Sequence, residues 1–149
     1  MLVAMEIKCN IIKSYLRNVL FINGTAYAGK STMCAMLAEK YDLIHCEENY
    51  CAEKFLEIAT PHDQPNMTYF KTHGDWQKFL NRTPSEYAAW IDGNSKELAE
   101  FEIAELIRIS AKHKVIVDTN IPADILKNCG LQSSGSYAIT AGYVCKQVF

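Results

Sequence analysis

The sequence predicts an α/β fold in which a mostly parallel sheet carries helices on both faces. Short apolar runs alternate along the chain with longer segments of helical spacing, which is the order that builds parallel sheets. One of those runs, Val115-Ile116-Val117, is continuous rather than alternating, as a strand covered on both faces must be. The chain has 149 residues, 49% of them apolar and 21% charged, enough to bury a core of its own. It is read as one domain over 1–149, with 1–17 an N-terminal extension and 131–149 a divergent or shortened tail.

The elements follow in order. Residues 18–23 (NVLFIN) form a buried strand, 30–40 a helix and 42–46 (DLIHC) a short second strand. Tyr50 to Ala59 reads as a helix stopped before Pro61, and the stretch to Leu80 is mixed, with Gly74 as a break. Thr83-Pro84-Ser85-Glu86 is a capping box in register: a threonine cap, proline at the first helical position and glutamate three residues after the cap. A helix therefore starts at Pro84. Asp92-Gly93-Asn94 is expected to interrupt or kink it, since glycine is a poor helix former, before Ser95 to Ala111 resumes with Leu98, Phe101, Ile103, Leu106 and Ile107 in helical spacing. Lys114 to Asp118 is the central strand. Pro122 to Cys129 is helical with Gly130 as its stop, and Tyr137 to Val144 forms a fourth strand after the SSGS loop.

Composition narrows the function. Fifteen Lys and Arg against seventeen Asp and Glu give a net charge of −2. No basic cluster stands out, so the footprint expected for nucleic acid or an anionic membrane is missing. No apolar run reaches the length of a membrane span. The start MLVAMEIKCN has Glu6 and Lys8 where a secretory leader needs an apolar stretch, so the six cysteines are read as reduced thiols of a cytoplasmic protein. Cys46 and Cys51 have no second pair at metal-ligand spacing, which argues against zinc.

Between the first strand and the first long helix lies Gly24-Thr25-Ala26-Tyr27-Ala28-Gly29-Lys30-Ser31-Thr32, a full match to G-x-x-x-x-G-K-[ST] in the strand-loop-helix setting that the motif requires. Its physics is anion binding. Backbone N–H groups of the loop and the positive end of the following helix converge on phosphate oxygens, Lys30 adds a point charge, and the Ser31 hydroxyl reaches Mg²⁺. The expected cofactors are ATP and Mg²⁺. Asp118, an acid closing the apolar strand VIV, has the form of a second metal-holding group beside Ser31; the competing reading is an aspartate that caps the turn before Pro122.

In these segments the chain resembles the small P-loop kinases of the nucleoside monophosphate kinase and shikimate kinase type. The resemblance is carried by GTAYAGKST and the order of elements through VIVDTNIP, roughly residues 18–122. It implies a three-layer P-loop NTPase fold, here shortened at the C-terminus, with the third strand inserted beside the first so that Asp118 ends next to the phosphate loop. It also implies an acceptor site after the second strand and an arginine on the acceptor's phosphate or carboxylate, for which Arg82 is the candidate. Glu48, at the end of the second strand, is the candidate acceptor contact or base; the alternative for Glu47-Glu48 is a solvated helix start. Thr119 follows Asp118 where hydrolytic ATPases carry a second acid, and neither D-x-x-G nor N-K-x-D occurs, so transfer to a bound small molecule is favoured over hydrolysis or GTPase action. The departure is the missing lid arginine: none follows Arg108. Two further readings stay open for that reason, a nucleotide-binding module without turnover and an NTPase activated by a partner's arginine.

Overall fold

The computed structural model describes residues 6–23, 29–72, 74–128 and 138–140, with residues 128 and 138–140 described through their backbone. Within these the chain is mixed α/β. It divides into two compact units, one formed by residues 1–48 and 104–149 and the other by 49–103.

The first unit contains a small parallel sheet. Its strands are β1 (Val19–Asn23), β2 (Ile44–Cys46), β3 (Val115–Asp118) and β4 (Ala138–Thr140), in the order β2-β3-β1-β4. All three pairings are parallel, with Val19 opposite Val115, Ile22 opposite Asp118, and Cys46 opposite Val117. The third strand thus lies beside the first, as the resemblance implied. Side chains alternate across a strand, so Leu20, Ile22 and Ile116 share one face. There Ile22 and Ile116 pack with Cys34 of helix α2 (Lys30–Tyr41), flanked by Leu37, Ala38 and Leu43. Val19, Phe21, Val115 and Val117 on the opposite face are buried as well, so the sheet is covered on both sides and an unalternated strand is what it needs. Each fully buried side chain of this size contributes about 1.5–3 kcal/mol.

Helix α2 starts one residue after Gly29, whose φ of +78° is left-handed backbone that favours glycine, although a Cβ there would meet nothing within 4 Å. Its other end is closed by Asp42 at φ 51°, a conformation that a short polar side chain tolerates, so β2 begins at Ile44 and not at residue 42. The N-terminal extension holds a helix, α1 (Cys9–Tyr15), which has no side-chain cap and buries no residue. After β3 comes the short helix α7 (Ala123–Asn128). The expected stop at Gly130 lies outside the described residues, as does most of the expected fourth strand.

The second unit is helical: α3 (Ala52–Ile58), α4 (Tyr69–Thr72), α5 (Trp76–Leu80) and the greater part of α6 (Pro84–Ser110). Gly74, at φ +57°, separates α4 from α5, as the sequence led us to expect. The capping box forms: Glu86 accepts hydrogen bonds from the Thr83 N–H (2.8 Å) and hydroxyl (2.8 Å), and the Thr83 hydroxyl accepts from the Glu86 N–H (3.3 Å). The expected interruption at residues 92–94 does not occur, and α6 runs unbroken through it. The reason is tertiary. Glu97 accepts from the Asn66 N–H and side-chain amide and from the Met67 N–H, and the Trp90 indole donates to the Asn66 carbonyl, so the 60–67 loop is tied along the helix. Gly93 lies against that loop: a Cβ there would be 2.5 Å from Asn66 Nδ2. Glycine thus serves close approach here rather than helix termination. No helix among the described residues is long and apolar enough to cross a membrane.

Candidate functional site

Parallel strands leave their carboxyl ends on one edge, where neither strand partner nor helix uses up the polar groups. Asp118 closes β3 on that edge and is 1% exposed. Helix α2 brings two side chains to it. The Ser31 hydroxyl donates to Asp118 Oδ2 at 2.5 Å, and Lys30 Nζ lies 3.9 Å from Asp118 Oδ1. Lys30 is itself 7% exposed, so a buried cation and a buried anion offset each other's desolvation. Yet Asp118 Oδ1 has no hydrogen-bond partner among the described residues. The Lys30 ammonium balances its charge from a distance too long for a hydrogen bond, which leaves this oxygen's lone pairs for another partner.

One helical turn beyond Lys30 sits Cys34. Burial, and then the Asp118 carboxylate, push its thiol from 9.0 up to about 11, with Lys30 pulling the other way. It is therefore neutral and unreactive in the folded chain, a packing residue beside the charged pair.

The loop after β3 is fastened at three points. The Thr119 hydroxyl accepts from the Ile121 N–H at 3.0 Å, the Asn23 amide at the end of β1 donates to the Ile121 carbonyl at 2.7 Å, and the Asn120 amide donates to Glu48. The last bond joins the segment after β3 to the segment after β2. Glu48 is thereby drawn toward the same sheet edge as Asp118. Asn120 and Cys34 were not singled out from the sequence: polar amides after a strand are common, and nothing local marks which carboxylate one will find.

No protein-family model, curated protein or solved structure matches this chain.

Of the residues expected at the site, Lys30, Ser31 and Asp118 come together. Gly29 precedes them at the helix start and Thr32 is exposed on its first turn. Gly24, Thr25, Ala26, Tyr27 and Ala28 lie outside the described residues. No three His, Cys, Asp or Glu side chains cluster as a ready-made metal site among the described residues. The donor set is nonetheless suited to Mg²⁺, which keeps most of its water and takes one or two protein oxygens: Ser31 Oγ and the unbonded Asp118 Oδ1 are such oxygens.

Arg82 belongs to the second unit. Its guanidinium lies over the rings of Tyr69 (4.5 Å), Phe79 (4.6 Å) and Trp90 (5.7 Å), and its Nη1 is buried with no hydrogen-bond partner among the described residues. The rings belong to a larger aromatic cluster in which Phe70 stacks on Trp76 at 4.2 Å and Phe79 meets Trp90 edge to face at 4.8 Å. Beside them opens a cleft of about 900 Å³, lined by Arg82, Trp90, Tyr69 and the polar side chains of Gln77, Lys78 and Asn81 among others.

Proposed function

We propose that this protein binds ATP with Mg²⁺ on a P-loop NTPase fold and transfers the γ-phosphoryl group to a small polar acceptor. The observation that carries the reading is the convergence of Lys30, Ser31 and Asp118 from a helix start and a strand end 87 residues apart in sequence. A lysine and a hydroxyl at the mouth of a phosphate-loop motif, facing a buried carboxylate with an unbonded oxygen, have no comparable use in a purely structural role. The strand order and the full G-x-x-x-x-G-K-[ST] match support the same fold.

In this reading Lys30 neutralises the β- and γ-phosphate oxygens, while Ser31 and Asp118 hold the cation. Mg²⁺ supplies charge neutralisation across those phosphates. Binding loosens the Lys30–Asp118 contact, and each side chain gains a partner of opposite charge. Glu48, oriented by Asn120, takes the proton of the acceptor hydroxyl. The acceptor oxygen forms a bond to Pγ as the bond from Pγ to the bridging oxygen breaks, and ADP leaves with that electron pair. Lys30→Ala tests the reading: calorimetry should find triphosphate binding sharply weakened in a protein whose circular dichroism is unchanged. Unchanged affinity in the folded variant removes its basis.

A second reading is favoured by one sequence observation, the lack of any arginine after Arg108. Loss of a cationic clamp on the transferring group lowers phosphoryl transfer by several powers of ten, which would leave a nucleotide-binding module or an NTPase that needs a partner's arginine. Single-turnover assays with labelled ATP separate the three. Label moved to an added acceptor marks the kinase, label released as phosphate only with a partner marks the activated NTPase, and retained ATP marks the module.

A further inference from the structure

We infer that this protein pairs with a second copy of itself through an uncharged face of α5 and α6, with Trp76 and Tyr87 as the anchors. The inference is independent of the nucleotide reading, since every residue of that face lies within the 49–103 unit.

Helix α6 is charged along most of its length, yet Pro84, Tyr87, Ala88, Ile91 and Ser95 fall at i, i+3, i+4, i+7 and i+11, which is one uncharged face over three turns. A helix ordinarily turns such a face into a core. Here Tyr87 and Ile91 stay 45% and 43% exposed. Helix α5 repeats the pattern with Trp76 and Leu80, one turn apart and 60% and 73% exposed. The two pairs belong to one surface, because the Phe79 ring meets both Trp76 and Tyr87 edge to face, each at 5.9 Å between centroids.

Both aromatic anchors are fixed before any partner arrives. Trp76 stacks on Phe70 at 4.2 Å and Tyr87 on Trp90 at 6.0 Å, so each ring is held by another ring and loses little freedom when its exposed part is covered. Tryptophan and tyrosine are also the side chains that most often dominate the energy of protein contacts.

Area and charge select the occupant. Taking ~200 Å² for a fully exposed side chain of this size, the four present about 450 Å² per copy, so two copies would bury about 900 Å² before any rim is counted. Specific interfaces begin near ~1,200 Å², which a polar rim can complete, so the pairing belongs at the weak and reversible end. The rim carries both signs: Asp92 and Lys96 neutralise each other at 2.7 Å, and Asp75 and Lys78 flank Trp76 in the chain. Such a rim selects no partner of one charge, but it is compatible with a copy of itself. Anionic lipid and nucleic acid are disfavoured by the unit's nine acidic side chains against five basic ones. A two-fold contact also covers the same face on both copies and then closes.

Sedimentation equilibrium of the full chain from about 1 μM to about 1 mM should show a reversible monomer–dimer step with a Kd of about 10–100 μM. Trp76 gives a second reading, since tryptophan emission should move to longer wavelength as dilution separates the copies. Leu80→Glu and Ile91→Glu, at exposed positions that the fold of one copy does not need covered, should each weaken pairing by about tenfold or more with circular dichroism unchanged, because each puts an unpaired charge into the contact. Met36→Glu, at an exposed apolar residue of the other unit, should leave pairing as it is. A chain that stays monomeric at every concentration overturns the inference, and if it then floats with phosphatidylcholine vesicles the face belongs to lipid. So does a dimer that survives both Leu80→Glu and Ile91→Glu, a dimer lost in Met36→Glu, or growth beyond the dimer, which a closed two-fold contact forbids.

Discussion

Replacing Gly93 by alanine ought, on helix propensity alone, to stabilise α6 by about 1 kcal/mol, because glycine is that much poorer than alanine inside a helix. The structure reverses the sign. The added methyl would lie 2.5 Å from Asn66 Nδ2 and 2.9 Å from its Cγ, so the Asn66 side chain must move. It cannot do so freely, since its amide donates to Glu97 at 2.6 Å. Losing a hydrogen bond to a charged group costs about 1.5–3 kcal/mol, so Gly93→Ala is expected to destabilise by about 0.5–2 kcal/mol net. Urea unfolding followed by tryptophan fluorescence reports on the unit that contains both residues, and the change should appear as a lower midpoint at unchanged slope. The double-mutant cycle sharpens the test. In an Asn66→Ala background the obstruction is gone, and Gly93→Ala should then stabilise by about 1 kcal/mol. Stabilisation by Gly93→Ala in the unaltered background, or additive effects of the two substitutions, would refute the close-approach explanation.

Asp118→Asn keeps the shape of the side chain and removes its charge, so Mg²⁺-dependent ATP binding should fall more than metal-free binding in calorimetry; equal losses would reduce Asp118 to a turn-closing residue. Cys34, being buried with a raised pKa, should resist iodoacetamide at about pH 8 while exposed Cys9 and Cys51 are alkylated, as peptide mass spectrometry can read. Because the unfolded chain gives up that thiol proton first, the stability it contributes is complete below pH 9.0 and is lost as the pH rises to about 11, and Cys34→Ala should flatten that part of the stability profile. No arginine follows Arg108 in this sequence to meet a nucleobase, so ATP, GTP and inorganic triphosphate should compete within about tenfold of one another, a spread of about 1.4 kcal/mol; a hundredfold preference for ATP would reveal a base pocket.

What could be read from the sequence was what short-range chemistry decides. The start of α6 was legible because Thr83, Pro84 and Glu86 act within one turn, and β3 was legible because an unbroken apolar run has few other uses. The meeting of Ser31 with Asp118 was legible only through resemblance, since nothing local ties a helix start to a strand end. Gly93 misled because its role is set by Asn66, which the chain brings alongside from a separate loop. Helix α1 went unread because it has neither a capping side chain nor a buried face to impose a period. Arg82 was noticed for its position, but its stacking was not, because Tyr69, Phe79 and Trp90 arrive from three different helices.

The first unit is interrupted in sequence by the second, and this has a consequence for synthesis. The pairing of Val19 with Val115 cannot form until the whole of 49–103 has left the ribosome. The helices of that segment close mostly over short separations, which fold quickly, whereas β1 must wait with Val19, Phe21 and Ile22 unpaired on a nascent chain. If the inserted helices fold first, they shorten the effective loop that the sheet has to close and lower its entropic cost. Substitutions that loosen the 60–67 loop would then act far from where they are made, by lengthening the time that an apolar strand stays exposed to aggregation.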